Sequence, residues 1–175
     1  MRTILNLAAV ALFLSTVSLR AEDPFLGRWM LDVQRSKYPA GAQPKQMTIE
    51  MSAIGHGVHY HSETQFPSGR TISADYTAEY DGKPVVVLCA RGMLLPVSLK
   101  RTAPNVVVAT YTSGFQVAAI SRRAISANGR VMTVTTTSQD VSGKTVTNVG
   151  IYRKVHSPDG SFDLSRIRTD LLVPK

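Results

Sequence analysis

The sequence predicts an all-β fold, an antiparallel up-and-down barrel of eight to ten strands. Three observations predict it. Segments of alternating apolar and polar residues recur from residue 25 to residue 155, at the spacing of a β meander. Turn signals separate them, among them Gly55-His56-Gly57, Asp81-Gly82, Ser113-Gly114 and Asn128-Gly129. The connections are short, so neighbours in sequence should be neighbours in space. A meander of that length either closes on itself or leaves two open edges, and a two-sheet sandwich would need longer crossovers than the chain offers.

The elements follow in order. Residues 1–21 read as a cleaved export signal: Arg2 supplies a positive start, Ile4 to Leu19 is mostly apolar, and Leu19-Arg20-Ala21 ends on a small residue. This leaves a domain of 22–155 and an extension of 156–175, with secretion or a periplasmic location implied. Phe25 to Val33 is the first strand, and Ser36 to Pro44, with Pro39 and Gly41, is a loop. Met47, Ile49 and Met51 alternate with polar residues in a second strand, and Val58 to Phe66 returns as a third. Ile72, Ala74, Tyr76, Ala78 and Tyr80 form one face of the fourth. Val85 to Cys89, Val97 to Arg101, Asn105 to Thr112, Gln116 to Ser126, Val131 to Ser138 and Thr145 to Val155 complete the set. In the extension, Leu164, Ile167, Leu171 and Leu172 allow a short helix over 162–172 that packs on the barrel or caps one end.

Composition excludes several function classes. Loss of Arg2 and Arg20 lowers the formal charge of +8 to +6, and the remaining basic residues occur as pairs rather than a dense stripe with stacking aromatics, unlike a nucleic-acid binder. Cys89 is the single cysteine, so no intramolecular disulfide forms, and its apolar surroundings predict burial. Stable membrane insertion is not expected. No Gly-x-Ser-x-Gly elbow, phosphate loop or dinucleotide fingerprint is present, so the chain reads as a non-enzyme without a cofactor.

Phe25-x-Gly27-x-Trp29-x-Leu31 and Ile151-Tyr152-Arg153-Lys154-Val155 resemble the first and last strands of the calycin superfamily, meaning lipocalins and fatty-acid-binding proteins. The layout of residues 25–155 is most similar to lipocalin-like domains of secreted bacterial proteins. The resemblance implies that Trp29 lies at the closed end under a cation from the last strand, with Arg153 as candidate, and that Gly27, Trp29 and Arg153 are structural. The sequence departs from fatty-acid-binding proteins twice. Ser36 to Pro44 is too short for their two-helix lid, and Gly150 stands where they carry an arginine two residues before the tyrosine, here Tyr152.

Candidate site residues follow from strand phase. Arg122 and Arg123 are consecutive mid-strand, so one points inward, where only an anion or carboxylate would balance it. With Tyr76, Tyr111 and Tyr152 they are the expected ligand contacts. His59, His61 and Glu63 share a face, the one spacing suggestive of a metal. The opposite face, with Val58 and Tyr60, looks like the core side, so a surface role is expected and no metal is assigned. Met47, Met51, Met93 and Met132 would line a pocket or fill the core. The expected function is capture of a small hydrophobic or amphipathic molecule; the alternative is a structural or interaction barrel filled by its own side chains.

Overall fold

The computed structural model describes residues 22–90 and 92–155; the expected export signal and the extension with its helix lie outside them. Ten strands form: β1 Gly27–Leu31, β2 Gln46–Ile54, β3 Gly57–Gln65, β4 Thr71–Glu79, β5 Asp81–Cys89, β6 Gly92–Ala103, β7 Val106–Ser113, β8 Gln116–Ile125, β9 Val131–Gln139 and β10 Thr145–Val155. Each pairs with its chain neighbours, and β1 pairs antiparallel with β10, Trp29 opposite Lys154 and Leu31 opposite Tyr152, closing the barrel. Closure satisfies the backbone groups that a terminal strand would otherwise expose. Beyond Leu31 the chain returns to β10 through a bridge between Lys37 and Val149, with backbone bonds of 2.8 and 2.7 Å, while Ser36 Oγ accepts the Ile151 N–H at 2.9 Å. This return holds Tyr38 next to Tyr152.

Two expectations shift. The sixth strand is longer than Val97 to Arg101, because β6 takes in Gly92 through Pro96. Val85 pairs with Val97 but Val87 with Leu94, a register shift that seats Pro96 where no ladder donor is needed. Cys89 is half-buried rather than buried, since β5 ends there at a hairpin tip.

The strand phases set the interior. At one end the core is tight: Trp29, Phe25, Met51, Val58, Leu99, Val107 and Met132 are all buried. Complete burial of an indole removes 150–250 Å² from water, about 4–6 kcal/mol by area. Trp29 Nε1 donates to the Phe25 carbonyl at 2.9 Å. The cation over the indole is Lys154, its Nζ 5.4 Å from the ring centroid. Arg153 is not the partner. Tyr152 points inward, so Arg153 points out, where its Nε and Nη2 bond Asp32 at 2.9 and 2.7 Å. Gly27 belongs to the same arrangement: its φ is +109°, and a Cβ there would sit 3.0 Å from Lys154 Cε, in the path of the lysine stem. Arg101 completes the plug, ion-paired with Asp23 and stacked over Tyr80 and Phe25 at 4.2 and 5.3 Å.

Candidate functional site

Burial of inward-facing residues falls toward the opposite end. Along β4, Ala78 and Tyr76 are buried and Ala74 and Ile72 half-exposed. Along β7, Val107 and Ala109 are buried and Tyr111 half-exposed; along β10, Tyr152 and Gly150 are buried and Asn148 half-exposed. On β9 the same change runs from Met132 to Val134 and Thr136. The barrel is therefore a plugged half beneath a water-accessible cup.

Arg123 stands at the floor of that cup. Strand phase sends Arg122 to solvent and Arg123 inward, 4% exposed, between Val107 on β7 and Val134 on β9. Its Nη2 donates to the Tyr76 hydroxyl at 3.0 Å and to the Tyr111 hydroxyl at 3.3 Å. The guanidinium lies over the Tyr60 ring at 4.7 Å, and Tyr60 stacks on Tyr76 with centroids 4.6 Å apart and planes 14° from parallel. Burial raises the Tyr60 and Tyr76 phenols above their ordinary value, so both are neutral at physiological pH. Burial also works against the Arg123 cation, but the ring of tyrosine oxygens outweighs it and the guanidinium keeps its proton. Among the described residues no carboxylate pairs with it. Its hydrogen bonds to protein all leave from Nη2, so among those residues Nη1 and Nε have no acceptor. With their oxygens accepting from Arg123, the Tyr76 and Tyr111 hydroxyl protons are free to point into the cup. The set is donor-rich and carries one permanent positive charge, the chemistry that receives an anion.

The other predicted residues are distributed differently. Tyr152 is buried beside the Arg123 set rather than bonded to it: its hydroxyl donates to Met47 Sδ at 3.0 Å, and burial raises its pKa. Gly150 explains the missing arginine of β10. A Cβ there would lie 2.7 Å from the Tyr152 ring and 2.9 Å from the Tyr38 hydroxyl, so the two tyrosines occupy the space. Met47, Met51 and Met132 face inward, but Met93 is exposed on the β5–β6 tip.

His59 and His61 lie on the outer wall, as expected, and Asp75 of β4 joins them. Its carboxylate contacts His59 Nε2 at 3.2 Å and His61 Nδ1 at 3.0 Å, whereas Glu63 is 3.9 Å from His61. No three of the described residues are arranged to hold a metal ion. Two surface concavities, about 440 and 510 Å³, lie around Gly27, Met51 and Lys154 and around Met30, Asp32 and Arg153. Neither includes Arg123 or a tyrosine, so the candidate site rests on the inward side chains.

No known protein-family model matches the chain, and no curated protein matches it. Solved structures do. The zebrafish ileal bile acid-binding protein complexed with cholic acid superposes with a TM-score of 0.52 at 14% identity, covering 75% of this chain and 99% of that one. Rv2717c from M. tuberculosis also gives 0.52 at 14% identity, covering 79% of this chain and 97% of that one. The fold is calycin-like. Within that calycin-like frame, Tyr60 joins the candidate site beneath Arg123, Tyr38 lies beside Tyr152, and Asp75 pairs with the outer-wall histidines. Tyr60 was legible from strand phase, whereas Tyr38 and Asp75 depend on a loop path and a cross-strand register.

Proposed function

We propose that this protein binds a small amphipathic anion, its acidic group on Arg123, Tyr76 and Tyr111 and its apolar part toward the mouth of the cup. One observation carries the reading: a buried guanidinium that has no carboxylate partner among the described residues and spends only its Nη2 on protein acceptors there. An ion in that setting carries a desolvation penalty of several kcal/mol, of which the Tyr60 face returns roughly 2 kcal/mol. The Tyr76 and Tyr111 hydroxyls offset more of it, and an anionic ligand would add the opposite charge that the described residues do not provide. The bile acid-binding neighbour, crystallised with cholic acid, is consistent with such a ligand class. Binding by burial and charge, without catalysis, is the accompanying proposal, as is export to the periplasm or medium directed by residues 1–21.

The test is displacement of anilinonaphthalene sulfonate by a bile acid or fatty acid and by the corresponding alcohol. The acids should compete at least tenfold better than the alcohols, the separation that one charge-assisted hydrogen bond provides. A barrel that binds neither the dye nor the acids would instead be the self-filled interaction module. The intact mass of the mature protein recovered from its host tests the export signal.

A further inference from the structure

We infer that the rim of the barrel mouth docks on anionic lipid bilayers. Three consecutive hairpin tips meet at this end, β5–β6, β7–β8 and β9–β10. Each exposes a large apolar side chain: Met93 on the first, Phe115 on the second, Val141 on the third. Phe115 and Val141 are fully exposed, and Val117 adds to the second tip. Since β8 pairs with β9, the Phe115 and Val141 tips stand side by side, about 10 Å apart at strand spacing. A lone apolar surface residue means little, but a contiguous set on adjacent tips marks an interaction surface.

Charge selects the partner. Lys144 sits on the third tip, Arg70 on the neighbouring β3–β4 tip and Lys45 at the start of β2, all exposed. Arg35 and Lys37 extend the basic collar along the β1–β2 connection. The acids of this end, Asp32, Glu63 and Asp140, are fewer than its bases. Asp32 is held by Arg153, and one oxygen of Asp140 accepts the Ser142 N–H, the Lys144 N–H and the Ser142 hydroxyl within its own turn. Glu63 lies on the outer wall beside His61. Apolar tips inside a cationic collar match an interface of acyl chains beneath negative headgroups. Among the described residues no helix is long and apolar enough to cross a membrane.

The test is co-sedimentation with vesicles of phosphatidylcholine plus phosphatidylglycerol, against phosphatidylcholine alone, at low and high salt. The protein should bind the anionic vesicles and release them as salt rises. Joint Phe115→Ser and Val141→Ser changes should weaken partitioning about tenfold or more, with an unchanged circular dichroism spectrum. Trp29 is the single tryptophan and is buried, so Phe115→Trp reports the tip directly and should shift to the blue only with anionic vesicles. Arg123→Met, which abolishes the proposed anion site, should leave vesicle binding intact, so the two proposals fail separately. Wild-type protein that ignores anionic vesicles, an unchanged double variant, or an unmoved Phe115→Trp emission would overturn the inference. So would tips that serve only to join two copies of the chain, seen as concentration-dependent elution lost in the double variant without vesicle binding.

Discussion

Replacement of Arg123 by methionine separates function from stability. Methionine fills a similar elongated volume without charge. The variant loses a desolvated cation–π contact with Tyr60, about 2 kcal/mol, and two charge-assisted hydrogen bonds to Tyr76 and Tyr111, about 1.5–3 kcal/mol each. It is also relieved of a buried cation whose desolvation opposes folding by several kcal/mol. These opposing effects are of similar size, and the freed phenols can turn toward the wet cup, so unfolding free energy should change by less than about 2 kcal/mol. Binding of an acidic amphiphile should weaken by about 10- to 150-fold, the equivalent of one such hydrogen bond, while binding of its alcohol stays constant. Urea unfolding followed by Trp29 fluorescence reads the first quantity and calorimetric titration the second. Equal losses for acid and alcohol, or an acid that binds the variant as tightly as the wild type, would refute the argument from the unpaired guanidinium.

Four further outcomes are expected. Trp29→Ala should cost about 3–5 kcal/mol, the usual loss for a buried aromatic, whereas Arg153→Met should change stability by less than about 1 kcal/mol because its ion pair is exposed; urea midpoints compare them. Gly150→Ala should destabilise by about 1–3 kcal/mol through overlap with Tyr152, and Tyr38→Ala in the same chain should recover part of it. The Asp32 carboxyl lies below its ordinary value of 3.8, chiefly through its bond to Arg153, so its stabilisation is present above that pH and disappears as pH falls through the lower folded value; melting temperature against pH should flatten in Asp32→Asn. Burial holds Tyr60 and Tyr152 above 10.0, so the contribution of these protonated phenols is intact below pH 10 and is lost at higher pH, and absorbance at alkaline pH should show tyrosines that ionise only as the barrel unfolds.

Much of the barrel was legible because closure rests on patterns that are local. Alternation placed Val58 and Tyr60 inward and His59 and His61 outward, and the turn signals fixed where consecutive strands meet. The same rule required Arg122 and Arg123 to face opposite ways; the structure decides that Arg123 is inside. The error at the plugged end came from one phase. Arg153 and Lys154 are adjacent bases on β10, and only the register opposite Trp29 and Tyr152 shows that the lysine turns inward. The length of β6 was hidden by Pro96, which reads as a strand breaker unless a bulge removes the need for its donor. Tyr38 was hidden more deeply, because its position depends on a loop returning to pair at Val149. Asp75 appears as one polar residue on an outer face until cross-strand pairing sets it against His61.

The most direct measurement is a crystal structure of the protein with a bound fatty acid or bile acid. The carboxylate should lie within hydrogen-bonding distance of Arg123 and of the Tyr76 or Tyr111 hydroxyl, with the hydrocarbon directed toward the mouth. A ligand seated on the outer wall, or one inside the cup with its acidic group away from Arg123, would contradict the account.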